Sequence, residues 1–206
     1  MTLTTTILSL TTFLLLLLST TTTTATTAVL DINGHPLKPN TPYYILPVIR
    51  GRGGGLTMSP KNTTSPCPLY AAQEPQEISQ GKPLKLYPSQ KTQIITLSTD
   101  LNIVFSAFAA YCRQSTGWQL RHDDQTERRY VGLGVVTGAP GVATVSNWFK
   151  IEKSGSGVHD YKIVFCPSVC NFCKVLCGDI GVFVEGDGRR LLGFSGQPLL
   201  VMFKKA

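Results

Sequence analysis

The sequence predicts an all-β domain. Short apolar runs rich in β-branched and aromatic residues recur along it. Gly, Pro, Asn and Ser bound those runs, and no apolar stripe holds helical spacing for three turns. In order, the candidate strands are Tyr43–Ile49, Leu84–Tyr87, Ile94–Leu97, Leu101–Phe105, Trp118–Leu120 and Tyr130–Leu133. Trp148–Ile151, Tyr161–Phe165, Val182–Val184 and Leu199–Phe203 follow. The runs around Ala107–Tyr111 and Val175–Cys177 are too short to count as helices. With 13 Pro and 19 Gly the chain has turns for about a dozen strands. A closed barrel and a sandwich both fit that pattern, and periodicity does not choose between them.

The domain follows a leader. Ile7 to Leu18 is apolar apart from Ser9, Thr11 and Thr12. That is shorter than the roughly 20 residues a membrane span needs. A Ser/Thr stretch and the small residues Ala25 and Ala28 come next, the kind a signal peptidase accepts. Residues 1–28 carry no charged side chain and read as a secretory signal peptide cleaved after Ala25 or Ala28. Residues 29–206 are then a single domain, secreted to an extracellular setting or kept in the secretory pathway, with no membrane attachment once the leader is gone.

All 19 Lys+Arg and 12 Asp+Glu lie in that domain, which carries the full +7. The charges are dispersed. Arg128-Arg129, Arg189-Arg190 and Lys204-Lys205 are the local clusters, with no aromatic stacking platform between them, which argues against nucleic-acid binding.

Six cysteines allow fifteen pairings. Four of them lie in Cys166-Pro-Ser-Val-Cys170-Asn-Phe-Cys173-Lys-Val-Leu-Cys177. In an exported chain closely spaced cysteines are disulfides rather than metal ligands. A redox Cys-x-x-Cys would want a βαβ setting, and a zinc site a second Cys-x-x-Cys arm; both are missing. The even count leaves no thiol for a linked dimer, so a monomer is expected. No cofactor is implied. Arg50-Gly-Arg-Gly-Gly-Gly55 lacks the Lys-Ser/Thr ending of a P-loop and reads as a wide turn. His35, His122 and His159 are far apart, and no Gly-x-Ser-x-Gly elbow accompanies them, which argues against a hydrolase. Trp118 and Trp148 do not supply the repeated Gln-x-Trp of a ricin-like sugar-binding domain. Asn62-Thr63-Thr64 is a glycosylation sequon in a polar loop.

At residues 29–47 the chain reads VLDINGHPLKPNTPYYILP. Val29, Asp31, Asn33, Gly34, Leu37, Tyr43 and Ile45 resemble the signature of the plant Kunitz-type trypsin inhibitor family. The similarity continues through Cys67-Pro, Ser98-Thr-Asp-Leu-Asn, Asn147-Trp-Phe-Lys-Ile, Tyr161-Lys-Ile-Val-Phe-Cys-Pro and Cys177-Gly-Asp-Ile-Gly. The four-cysteine cluster resembles the miraculin-like branch. The resemblance implies a β-trefoil of twelve strands in three pseudo-repeats, with a six-stranded barrel closed by a cap of hairpins. It also implies the bridges Cys67–Cys112, Cys166–Cys177 and Cys170–Cys173.

In that family an exposed loop enters the active site of a serine endopeptidase. The corresponding loop here is Pro88-Ser89-Gln90-Lys91-Thr92-Gln93, and the bond presented is Lys91–Thr92. A Lys at that position suits the acidic pocket of trypsin-like enzymes. One departure stands out. The Asn that braces the loop in the inhibitors falls on Pro39, which has no side-chain donor; the adjacent Asn40 is the candidate to support the loop in its place after a small shift. Two functions follow: a secreted trypsin-type inhibitor, favoured by Lys91, or a storage or defence protein without strong inhibition, favoured by Pro39.

Overall fold

The computed structural model describes residues 27–108, 111–135, 137–155 and 157–206. The leader expectation therefore falls almost wholly outside the described residues. The strands are β1 (Tyr43–Pro47), β2 (Leu56–Pro60), β3 (Leu69–Gln73), β4 (Leu84–Pro88), β5 (Leu101–Phe105) and β6 (Gly117–Asp123). They continue as β7 (Arg128–Val135), β8 (Lys150–Lys153), β9 (Tyr161–Phe165), β10 (Gly178–Val184), β11 (Arg190–Phe194) and β12 (Leu200–Lys205). A 3-10 helix, Val142–Asn147, precedes β8. The chain is thus all-β, as its sequence predicts.

Pairing is antiparallel throughout and closes on itself. The hydrogen-bonded path runs β10-β11-β3-β7-β6-β5-β4-β1-β12-β9 and returns to β10 through Gly178 opposite Phe165. β2 hangs on β3, and β8 on β9. Closure removes open edges from the strands on that path, leaving only β2 and β8 outside it among the described residues. Neighbouring strands form the pairs β2–β3, β4–β5, β6–β7, β8–β9 and β10–β11, and β12 returns to β1.

The pairing has a period of four strands. β1 meets β4 at Tyr43 and Leu84, and β9 meets β12 at Tyr161 and Val201. The equivalent step is Leu101 of β5 opposite Phe149, just before β8. The intervening hairpins also meet one another in a triangle. Tyr70 of β3 lies opposite Gly132 of β7, Tyr130 of β7 opposite Gly193 of β11, and Leu191 of β11 opposite Ala72 of β3.

Alternation along the strands fills the centre. Leu84 and Leu86 of β4, Ile103 and Phe105 of β5, and Ile163 of β9 are all buried. Trp118 and Phe149 pack edge to face at 5.6 Å, and Phe149 meets Phe165 at 5.5 Å. The Gly run after β1 packs too closely for a side chain: a Cβ on Gly55 would lie 2.0 Å from the Gln80 carbonyl oxygen.

Sequence and structure differ in places. Ile94–Leu97 is not a ladder strand; among the described residues its one bridge is Thr96 with Ala28. β2, β3 and β11, whose β-formers are diluted by Pro, Ala or Gly, are strands that the sequence reading passes over.

Candidate functional site

The segment between β4 and β5 takes its shape from both flanks. The β4–β5 ladder runs from Leu84 opposite Phe105 to Pro88 opposite Leu101. Pro88 has no N–H to extend it. One further bond follows, from Ser89 N to the Asp100 carbonyl at 2.9 Å. Beyond it the two arms part. Gln90, Lys91, Thr92 and Gln93 are all exposed.

The return arm is fastened at Ile95, whose side chain is fully buried. Ile95 N donates to the Leu37 carbonyl at 2.8 Å, and Val29 N donates to the Ile95 carbonyl at 2.9 Å. Leu97 N donates to the Thr27 carbonyl at 2.9 Å. Ile94–Leu97 thus lies against the N-terminal segment instead of pairing with β4. Between the exposed residues and this anchor, Thr92 Oγ1 donates to the Ile94 carbonyl at 3.0 Å. Lys91 and Thr92 therefore sit between a fixed point at Ser89 and another at Ile95.

The N-terminal segment is itself well held. Asp31 is buried, and its Oδ1 accepts from the backbone N–H of Asn33 and of His35, each at 2.9 Å. Gly34 turns the chain at φ 81°, and Leu37 enters the core. Tyr161 Oη accepts from Leu30 N at 3.0 Å, and Tyr43 Oη from Lys38 N at 2.9 Å. The Val29–Ile45 signature thus has a structural purpose: it builds the platform on which Ile95 is seated.

Pro39 and Asn40 form a turn against β4. Asn40 adopts φ 55°, and its N–H donates to the Leu86 carbonyl at 3.0 Å. Its Oδ1 accepts from the Tyr87 hydroxyl at 2.9 Å. Among the described residues no hydrogen bond joins the Asn40 side chain to residues 89–93. Asn40 supports the strand that leads into the loop, not the loop itself.

A second support comes from the far side. Asp100 is 7% exposed, so its carboxylate needs donors. Ser168 Oγ supplies one at 2.6 Å, and Ser168 N lies at 3.1 and 3.3 Å from the two oxygens. Lys150 Nζ stands 3.9 Å from Oδ1 and donates to Ser168 Oγ at 3.1 Å. Ser168 lies inside the ring closed by Cys166–Cys177, which encloses Cys170–Cys173. Sequence reasoning missed this contact.

The third bridge, Cys67–Cys112, has Cα atoms 5.6 Å apart and spans a separation of 45 residues. The exposed segment lies inside that span. Asn62 is exposed in a turn where its Oδ1 accepts from Ser65 N at 2.8 Å.

Comparison with known proteins adds the family. Residues 29–205 match the legume Kunitz family, described as trypsin and protease inhibitor. The chain is 51% identical over 179 residues to Kunitz trypsin inhibitor 5 of Arabidopsis thaliana, covering 86% of this chain and 85% of that protein. It is 47% identical to miraculin of Synsepalum dulcificum, covering 86% and 82%. Among solved structures it resembles soybean trypsin inhibitor in its complex with porcine pancreatic trypsin, with a TM-score of 0.70, 30% identity, and coverage of 86% of this chain and 98% of that one.

Proposed function

Since the chain belongs to the legume Kunitz family, a family of trypsin and protease inhibitors rather than enzymes, we propose that it is a secreted inhibitor of trypsin-like serine endopeptidases, presenting Lys91–Thr92 as a substrate-like bond. The observation that carries this reading is the exposure of Gln90 to Gln93 between the anchors at Ser89 and Ile95. A segment held at both ends loses little entropy on docking. The Lys91 ammonium fits an acidic specificity pocket, where a desolvated pair contributes to affinity. After cleavage both new ends would remain held, so resynthesis of the bond competes with release.

The fold that accompanies this reading is the β-trefoil. The four-strand pairing period and the triangle of hairpins support it. We also propose export by the leader, with cleavage after Ala25. That site keeps Thr27 and Ala28, whose backbones pair with Leu97 and Thr96. The intact mass of the purified mature chain reads the cleavage site and any glycan on Asn62.

A titration of trypsin with the mature protein tests the function. Stoichiometric loss of activity with one inhibitor per enzyme is expected, in keeping with a monomer. Lys91→Ala should weaken inhibition about a hundredfold, roughly 3 kcal/mol. Lys91→Leu should shift preference toward chymotrypsin-like enzymes, whose pocket is apolar. No inhibition at micromolar concentration would sink the proposal. It would favour the second reading, a storage or defence protein, for which Pro39 at the bracing position speaks.

A further inference from the structure

We propose that Asp100 and Ser168 form a clasp that positions the exposed loop, making the doubly bridged Cys166–Cys177 ring a working part of the device. The proposal rests on the inhibitor reading above and adds positioning residues to it.

The connection is continuous. Ser89, two residues before Lys91, donates its N–H to the carbonyl of Asp100 at 2.9 Å. Where Asp100 sits therefore decides where the loop leaves the barrel. The side chain of Asp100 settles that position. It is buried, and its donors come from Ser168 N, Ser168 Oγ and, more distantly, Lys150 Nζ. A buried carboxylate stripped of such donors carries a large desolvation penalty, so Asp100 and Ser168 are held together.

Ser168 in turn has little freedom. It lies two residues after Cys166, in a ring closed at Cys177 and divided by Cys170–Cys173. Lys150, in the strand paired with β9, donates to its hydroxyl at 3.1 Å. On the opposite flank the position that would brace the loop is Pro39, and Asn40 is engaged with Tyr87. Support missing on the N-terminal side is thus provided from the ring.

Ser168→Ala is the direct test. The residue is exposed, so the substitution leaves no core cavity. It removes the shortest bond to the Asp100 carboxylate. The expected result is about a tenfold rise in the trypsin inhibition constant. Hydrolysis of Lys91–Thr92 by excess trypsin should quicken by a similar factor. Ser168→Thr, which keeps the hydroxyl, should restore both. Tyr130→Phe is the stability control: it removes a 3.0 Å bond to Glu185 in the hairpin triangle and should leave both readouts unchanged while lowering Tm. Wild-type inhibition with an unchanged constant and cleavage rate in Ser168→Ala would overturn the clasp while leaving the inhibitor reading intact. If the wild type does not inhibit, that reading fails, and the cleavage rate alone decides the clasp. Equal cleavage of wild type and Ser168→Ala would then overturn it.

Discussion

Lys91 and Pro39 pull the function in opposite directions, and single-residue changes separate them. Pro39 stands in the turn beside β4 with its carbonyl accepting from Thr41 Oγ1 at 3.4 Å. Its side chain offers no donor, and the neighbouring Asn40 spends its Oδ1 on Tyr87. Pro39→Asn would put a side-chain amide at the position where the resemblance places the loop's brace. One good hydrogen bond contributes about 1 kcal/mol net, so trypsin inhibition should tighten about fivefold and cleavage at Lys91–Thr92 should slow. Inhibition constants of the two proteins check this; an unchanged or weaker constant would mean that the loop needs nothing from this side. The exposed loop was legible in the sequence as the polar stretch from Pro88 to Gln93 ahead of the Leu101–Phe105 run, whereas the choice of Lys91–Thr92 within it is what the family resemblance implies. The clasp was not legible. Asp100 and Ser168 are 68 residues apart, one is buried and the other exposed, and neither belongs to a periodic pattern. Only the folded chain brings them together.

Elements join through polar contacts as well as through ladders. Lys61, just after β2, pairs with Asp123 at the end of β6. Its ammonium also stands 5.5 Å from the centre of the Tyr130 ring in β7. The hydrogen bond from Lys61, helped by Thr126, holds the Asp123 carboxyl below its ordinary value of 3.8. A depressed carboxyl contributes stability that is fully present above the ordinary value and is lost as pH falls through the lowered one. Lys61→Met should therefore destabilise modestly at pH 7, by about 1 kcal/mol for a pair at the surface. At a pH well below 3.8 the gap between the two proteins should narrow, since the pair is then broken in both. Thermal melts at the two pH values measure it, and a gap independent of pH would assign the effect to the Tyr130 contact instead. The strands themselves were unevenly legible. β5 and β9 appear in the sequence with their true bounds because LNIVF and YKIVF are dense in β-formers. β2 (LTMSP), β3 (LYAAQ) and β11 (RLLGF) contain Pro, Ala or Gly where such residues would stand. They are strands because closure of the sheet and the triangle of hairpins pairs them, a tertiary effect that no local window contains. Ile94–Leu97 erred the other way: its β-branched residues serve an anchor against Leu37 and Val29 instead of a ladder.

Closure of the whole molecule bears on what happens when a protease does cut the loop. Cleavage at Lys91–Thr92 would leave one piece with β1 to β4 and Cys67, and another with β5 to β12 and Cys112. The pieces interlock. β1 lies between β4 and β12, paired with β12 from Tyr43–Lys205 to Pro47–Val201, while β4 is paired with β5 along its full length. β3 touches both β7 and β11. The Cys67–Cys112 bridge then joins the halves covalently, and in the uncut chain it stabilises by about 4 kcal/mol in the chain-entropy model for a loop of its length. The nicked protein should thus migrate as one band without reductant and as two after reduction and denaturation. It should also elute as a single particle of unchanged size in reductant without denaturant, because the strand pairing is independent of the bridge. In a Cys67→Ser, Cys112→Ser double variant the cut halves should still co-elute, with a melting temperature well below that of the bridged form. Separation of the halves on reduction alone would show that the bridge, rather than the closed sheet, keeps the new ends at Lys91 and Thr92 close enough to be rejoined.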